Sequence, residues 1–99
     1  MNVIKRLEGS ELFVEIIGNI DSVTAPELNN SLNESLKGVT SIVFDFKQVD
    51  YISSAGLRVL LVAVKAMPKD GGVTVRNANS NVMDIFTMTG FVNILNIEG

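Results

Sequence analysis

Two adjacent serines, Ser53 and Ser54, stand at the start of a long apolar stretch, YISSAGLRVLLVAVKAM. A serine hydroxyl can cap a helix by accepting a bond from a first-turn N–H, and it can also receive a phosphoryl group. A cap needs one serine, so the pair leaves a second hydroxyl for chemistry. Because the start of a helix carries partial positive charge, we expect a phosphate here to change what the surface binds without unfolding the chain.

Charged residues and a glycine near this pair offer further candidates. Asp21 either bonds its own backbone in a turn or forms an acidic rim that orients a hydroxyl or binds a partner's metal. Arg58 either interrupts an apolar helix face or contacts an acidic partner or the phosphate. Gly56, with no side chain, would leave the serine accessible. Asp45 and Asp50 bracket a strand end, where turn bonding or solvation is favoured over acid–base chemistry.

The composition excludes several kinds of site. The 99 residues include no histidine and no cysteine, which removes the commonest general base, the thiolate nucleophile and the usual zinc ligands. An enzyme would have to work with carboxylates, lysines or hydroxyls alone, and we expect no metal site, no cofactor and no enzymatic activity. The net charge of -3 comes without a lysine or arginine cluster, so nucleic acid is excluded as a partner.

The length and the hydrophobic pattern favour one soluble domain over residues 1–99. The N-terminus, MNVIKRLEGS, lacks the apolar run of a signal peptide. The longest apolar stretch is interrupted by Arg58 and Lys65 and is too short to span a bilayer. We expect a cytoplasmic protein with no membrane contact.

The first elements that would position these residues form a hairpin followed by a helix. Val3–Leu7 and Glu11–Gly18 are predicted strands, and the second is apolar on both faces and therefore interior. Thr24 and Glu27 have the spacing of a capping box. The helix that follows has its apolar stripe at Leu28, Leu32 and Leu36 and a predicted C-terminal glycine at Gly38.

The remaining elements alternate between strand and helix. The pattern predicts a strand at Ser41–Phe46 and a helix that begins near Ser53 or Ser54 and ends before Pro68. A turn at 69–72 and a strand at Val73–Arg76 follow. The next helix is capped by Asn79 or Ser80, has Val82, Ile85, Phe86 and Thr89 inward and is closed by Gly90, and the last strand lies within Phe91–Ile97. The order ββαβαβαβ is typical of an α/β fold. Strands joined through helices run parallel, so we expect a small, mostly parallel mixed sheet with an N-terminal β-hairpin and helices packed on it.

The motifs GNIDSVTAPEL, SIVFDFKQVDYISSAGLRVLL and TGF, with a Gly-Gly turn between the last two, resemble the STAS domain family. Within that family the chain is similar to stand-alone anti-sigma factor antagonists, and the resemblance covers nearly all of it. It implies that the unphosphorylated protein binds an anti-sigma factor that is itself a serine kinase, and so frees a sigma factor. The kinase then phosphorylates one serine and the complex dissociates, and a metal-dependent serine phosphatase restores the first state. The alternative is a STAS scaffold or accessory module of a transporter or signalling complex, without a phosphorylation cycle.

The resemblance also assigns residues. The family's phosphoserine stands two positions before a Gly-Leu pair, which is Ser54 in this sequence. Ser53 occupies the place of an aspartate found in many members and is the competing phosphorylation site, while Ala55 replaces a second serine. Asp21 matches the family's loop aspartate. The implied partner-binding residues are Asp21, Ser53, Gly56, Leu57 and Arg58.

Overall fold

The computed structural model describes residues 1–68 and 72–99 and confirms the α/β fold. The strands are β1 (Asn2–Glu8), β2 (Glu11–Ile17), β3 (Ser41–Gln48), β4 (Gly72–Arg76) and β5 (Asn96–Glu98), and the helices are α1 (Ala25–Asn33), α2 (Ser54–Ala66) and α3 (Ser80–Thr89). The sheet has the order β1-β2-β3-β4-β5. The β1/β2 pair is antiparallel and the other three pairs are parallel, as expected for a hairpin followed by helical crossovers.

The predicted interior position of β2 is confirmed, because β2 pairs with β1 on one side and β3 on the other. Its residues Leu12, Val14 and Ile16 alternate with half-buried ones, and each is at most 2% exposed. These three side chains face the helices. The period of two therefore fixes which side of the sheet carries the core.

One hydrophobic core lies between this sheet face and the helices. Its members from the sheet include Ile42, Phe44, Phe46, Val73 and Val75, and its members from the helices include Leu28, Leu32, Leu57, Leu60, Val82 and Phe86. The helices contribute residues spaced three or four apart, which is the apolar stripe of a helix lying on a sheet. Packing on this core holds α1 and α2 next to each other.

The first helix is shorter than the sequence predicted. The capping-box interpretation of Thr24 is wrong, since its side chain makes no cap bond to the helix. Pro26 lies in the first turn, as predicted. The helix ends at Asn33, so Leu36 packs on the core from the turn that follows. Gly38 has a φ of 78° in that turn and is not the residue that ends the helix.

The last part of the chain also differs in detail. Asn79 caps α3 and Gly90 ends it with a φ of 79°, both as predicted. Thr89 is exposed, contrary to prediction, and donates its hydroxyl proton to the Ile85 carbonyl at 2.7 Å. A short 3₁₀ helix at Phe91–Asn93 precedes β5, so the final strand is shorter than expected. The predicted turn at 69–72 lies outside the described residues, except for Gly72.

Candidate functional site

An isolated parallel bridge between Ile20 and Ile52 brings the two candidate segments together. The Ile20 N–H donates to the Tyr51 carbonyl at 3.0 Å, and the Ser53 N–H donates to the Ile20 carbonyl at 2.8 Å. Both isoleucine side chains are buried. Because Asp21 directly follows Ile20, the loop that leads to α1 lies beside the start of α2.

Ser53 is the N-cap of α2. Its backbone is extended, with φ -88° and ψ 174°, and its Oγ accepts a hydrogen bond from the Gly56 N–H at 3.2 Å. Its carbonyl accepts from the Leu57 N–H at 2.9 Å. The residue is half-buried. The capping interpretation of the serine pair is therefore confirmed for Ser53.

Ser54 is the first residue of α2 and is exposed. The cap acceptor is the hydroxyl of its neighbour, so the Ser54 side chain lies at the surface and does not close the first turn. The first turn of α2 contains no acidic residue. The partial positive charge of this helix end is thus not offset from within the turn.

Asp21 is a turn aspartate, the first of its two interpretations. Its Oδ1 accepts from the backbone N–H groups of Val23 and Thr24, both at 2.9 Å. The Asp21 N–H in turn donates to the Thr24 Oγ1 at 2.9 Å, and that hydroxyl donates to the Asn19 carbonyl at 2.8 Å. These bonds fix the loop that precedes α1 and connect it to the bridge through Ile20.

The same bonds set the charge of the Asp21 carboxyl. The backbone N–H of Thr24, and after it that of Val23, lower the pKa of Asp21 from its ordinary value because both stabilise the carboxylate. The group is therefore ionised at neutral pH. It places one negative charge on the loop beside α2.

Gly56 and Leu57 do not belong to the surface, so the expectation that they contact a partner needs correction. Both are buried on the core side of α2. A Cβ atom on Gly56 would lie 2.6 Å from Cγ2 of Ile20 and 2.7 Å from Cγ1 of Ile52. Gly56 is thus a glycine because the bridge passes close to the helix, and not because it exposes the serine.

Arg58 is exposed one turn into α2 and lies on the rim of a groove between α1 and α2. We call this the α1/α2 groove; it has a volume of 340 Å³. It is lined by Ser22, Ala25, Pro26, Asn29, Ala55, Arg58, Val59 and Val62. Among the described residues that line it, Arg58 alone carries a charge.

Apolar side chains that the sequence analysis did not single out lie close to this site. Val62 lines the α1/α2 groove and is 47% exposed, and Val23, in the Asp21 loop, is 76% exposed. For Val23, the sequence did offer an indication, because it is an apolar residue inside the polar segment Asp21–Thr24. Exposed apolar residues beside a hydroxyl and a guanidinium are suited to protein contact.

Within residues 1–68 and 72–99, no group of three or more acidic side chains could hold a metal ion. No helix of that part has both the length and the hydrophobicity needed to cross a membrane. The start of α2 thus presents the exposed hydroxyl of Ser54, and the α1/α2 groove, which begins at the next residue, Ala55, presents one guanidinium among uncharged side chains.

The sequence of this chain is similar to a known protein family and to named proteins. The sequence model of the STAS domain family matches residues 2–99. BtrV of Bordetella bronchiseptica, named as a candidate anti-sigma factor antagonist, is 34% identical over 79 residues, which are 78% of this chain and 68% of the relative. The anti-sigma-B factor antagonist of Bacillus subtilis is 29% identical over 99 residues, which are 99% of this chain and 91% of the relative.

A solved structure shares the fold. The crystal structure of an anti-sigma factor antagonist from Mycobacterium paratuberculosis superposes with a TM-score of 0.83 at 22% identity, over 98% of this chain and 84% of that one. At this identity the superposition establishes the architecture and not the role of any residue. The family match rests on the sequence and covers both the Asp21 loop and the start of α2.

Proposed function

The chain belongs to the STAS domain family, and on that premise we propose that it is an anti-sigma factor antagonist switched by phosphorylation of Ser54. The proposal rests on one observation, that the side chains of the two serines have different environments. Ser53 Oγ is engaged as the cap of α2, whereas Ser54 is exposed at the first helical position. A kinase would therefore meet the Ser54 hydroxyl without first opening the helix.

In the unphosphorylated state the surface around Ser54, Arg58 and the α1/α2 groove binds a kinase-type anti-sigma factor and so releases a sigma factor. The kinase transfers the γ-phosphoryl group of ATP to Ser54: the bond from the γ-phosphorus to its bridging oxygen breaks, ADP leaves, and a bond from phosphorus to Oγ forms. The hydroxyl proton passes to a base on the kinase or to water. A metal-dependent serine phosphatase later hydrolyses the ester and restores the hydroxyl.

The added charge weakens the complex. A phosphoserine carries about -1.5 to -2 charges, and an interface fitted to a neutral hydroxyl opposes it by repulsion and by desolvation. A loss of affinity of roughly 100- to 1,000-fold corresponds to about 3–4 kcal/mol. The fold persists because Ser54 is exposed and the helix start favours negative charge.

This account makes the protein a binding component and not an enzyme. The kinase supplies the nucleotide and its metal, the phosphatase supplies its own metal, and this chain supplies the acceptor hydroxyl and the surface. Because sigma factors act on RNA polymerase, we place the protein in the bacterial cytoplasm.

The proposal is tested by incubating the full chain with the kinase-type anti-sigma factor of the same organism and ATP, and mapping the phosphate by mass spectrometry. We expect one phosphate, located on Ser54, and no incorporation into Ser54→Ala. Ser53→Ala is the matched control, because it removes the neighbouring hydroxyl and should still accept the phosphate.

Other results would overturn the proposal. A phosphate on Ser53 would contradict the assignment of the acceptor. Absence of both complex formation and phosphate transfer, together with capture of a transporter subunit from the source cell, would favour the scaffold or accessory-module alternative.

A further inference from the structure

We propose that, once Ser54 is phosphorylated, the guanidinium of Arg58 binds the phosphate within the same molecule, so that modification removes the groove's cation as well as adding an anion. This inference rests on the proposed phosphorylation of Ser54. It assigns to Arg58 a contact within the molecule, in addition to the contact with a partner proposed above.

Helix geometry brings the two side chains together. Ser54 and Arg58 are four residues apart in α2, and both are exposed. Residues at this spacing lie on one helix face about 6 Å apart along the axis. Side chains on a helix lean towards its N-terminus, so a long side chain at 58 covers the turn that contains residue 54. An anion placed N-terminal to the cation is also the favourable order.

Arg58 is available for this contact. The ion pairs found among residues 1–68 and 72–99 use Lys5, Arg6 and Arg76, and none of them involves Arg58. The first turn of α2 has no acidic residue that could compete for the guanidinium. The described α1 side of the groove is uncharged, with Ala25, Pro26 and Asn29 as its lining.

Asp21 carries the carboxylate of the loop that the Ile20–Ile52 bridge holds beside α2. Oδ1 of Asp21 already accepts two backbone N–H groups, from Val23 and Thr24. The positive charge of the N-terminal amino group of Met1 also lowers the pKa of this carboxyl. Asp21 is therefore held by Oδ1 in its own turn, as a fixed negative charge on the loop beside α2.

The contact changes the surface in two ways at once. Before modification, the rim of the α1/α2 groove has the charge of Arg58, +1. Afterwards the phosphoserine and Arg58 together carry about -0.5 to -1, and the guanidinium is turned from the groove towards the phosphate. An acidic group of a partner that pairs with Arg58 would then lose its cation and meet an anion.

The test uses full-length protein into which phosphoserine is incorporated at position 54 during translation, so that no kinase is needed. The second pKa of the phosphate is measured by ³¹P NMR at about 0.15 M salt in the parent and in Arg58→Gln. We expect Arg58→Gln to raise this pKa by roughly 0.3–0.7, because the lost cation had stabilised the dianion. Arg58→Lys, which keeps the charge but loses the planar fork, should give an intermediate value.

Lys65→Gln is the matched control. It removes the same charge from an exposed position of α2 that lies about 16 Å from Ser54 along the helix axis. Screening should limit its effect to roughly 0.1 in the phosphate pKa. Equal pKa values in the parent and in Arg58→Gln, or equal shifts in Arg58→Gln and Lys65→Gln, would overturn the inference. Because the phosphoserine is encoded, this outcome is separate from any failure of the kinase to modify Ser54.

Discussion

At the scale of residues, Ser53 and Ser54 have different environments although they are neighbours in the chain. Ser53 is half-buried and its Oγ closes the first turn of α2, whereas Ser54 is exposed. From the sequence we could predict that one of them caps the helix, because serine is a preferred N-cap and the apolar stretch follows at once. Which one does so depends on where the helix begins, and the Ser53 N–H lies outside the helix, where it donates to the Ile20 carbonyl.

This difference predicts unequal effects on stability. Ser53→Ala removes the bond from the Gly56 N–H and should lower the free energy of unfolding by about 1 kcal/mol. Ser54→Ala removes a surface hydroxyl and should change it by less than about 0.5 kcal/mol. Urea denaturation followed by circular dichroism measures both. A larger loss for Ser54→Ala than for Ser53→Ala would show that the cap is assigned to the wrong serine.

At the scale of elements, the start of α2 is positioned by the Ile20–Ile52 bridge and by Gly56. The sequence predicted α2 and its end before Pro68, since the apolar run and the proline are local signals. It did not predict that Gly56 is buried, because the two isoleucines that crowd it come from segments more than thirty residues apart. The predicted capping role of Thr24 was wrong because its hydroxyl is engaged elsewhere. It accepts a hydrogen bond from the Asp21 N–H and donates one to the Asn19 carbonyl.

The close approach at Gly56 can be tested by adding one methyl group. Alanine has a higher helix propensity than glycine by about 1 kcal/mol, so Gly56→Ala would stabilise α2 if the site were open. The new Cβ would instead meet Ile20 and Ile52 at less than 3 Å, and we expect a net destabilisation of about 1–3 kcal/mol.

Lys65→Ala is the control for Gly56→Ala, because it introduces alanine at an exposed position of the same helix. It should change the free energy of unfolding by less than about 0.5 kcal/mol in the same urea titration. An increase in stability for Gly56→Ala would contradict the packing that we describe between α2 and the bridge.

At the scale of the whole molecule, the core and the proposed switch are separate. The core lies between the sheet and the helices, and its residues from β2 alternate along the strand with residues of the opposite face. Ser54 and Arg58 lie outside it, on exposed positions of α2. Charge can therefore be added to this surface without burial of an ion, which is the physical condition for a switch that changes binding and not folding.

The opposite face of the sheet shows how the fold can be complete without a helix on each side. Phe13 lies there, with the guanidinium carbons of Arg6 and Arg76 at 4.7 and 5.8 Å from its ring centre. Val43, on the same face, is only 6% exposed. The sequence indicated that β2 is apolar on both faces but not what covers this one, because the two arginines come from other strands.

The central claim is that phosphorylation of Ser54 weakens partner binding and leaves the fold intact. Isothermal titration of the kinase-type anti-sigma factor, without ATP, against full-length protein with either serine or encoded phosphoserine at position 54 tests it most directly. The account predicts a Kd roughly 100- to 1,000-fold higher for the phosphorylated form, with an unchanged circular dichroism spectrum. Equal Kd values for the two forms, or a loss of binding accompanied by unfolding, would contradict it.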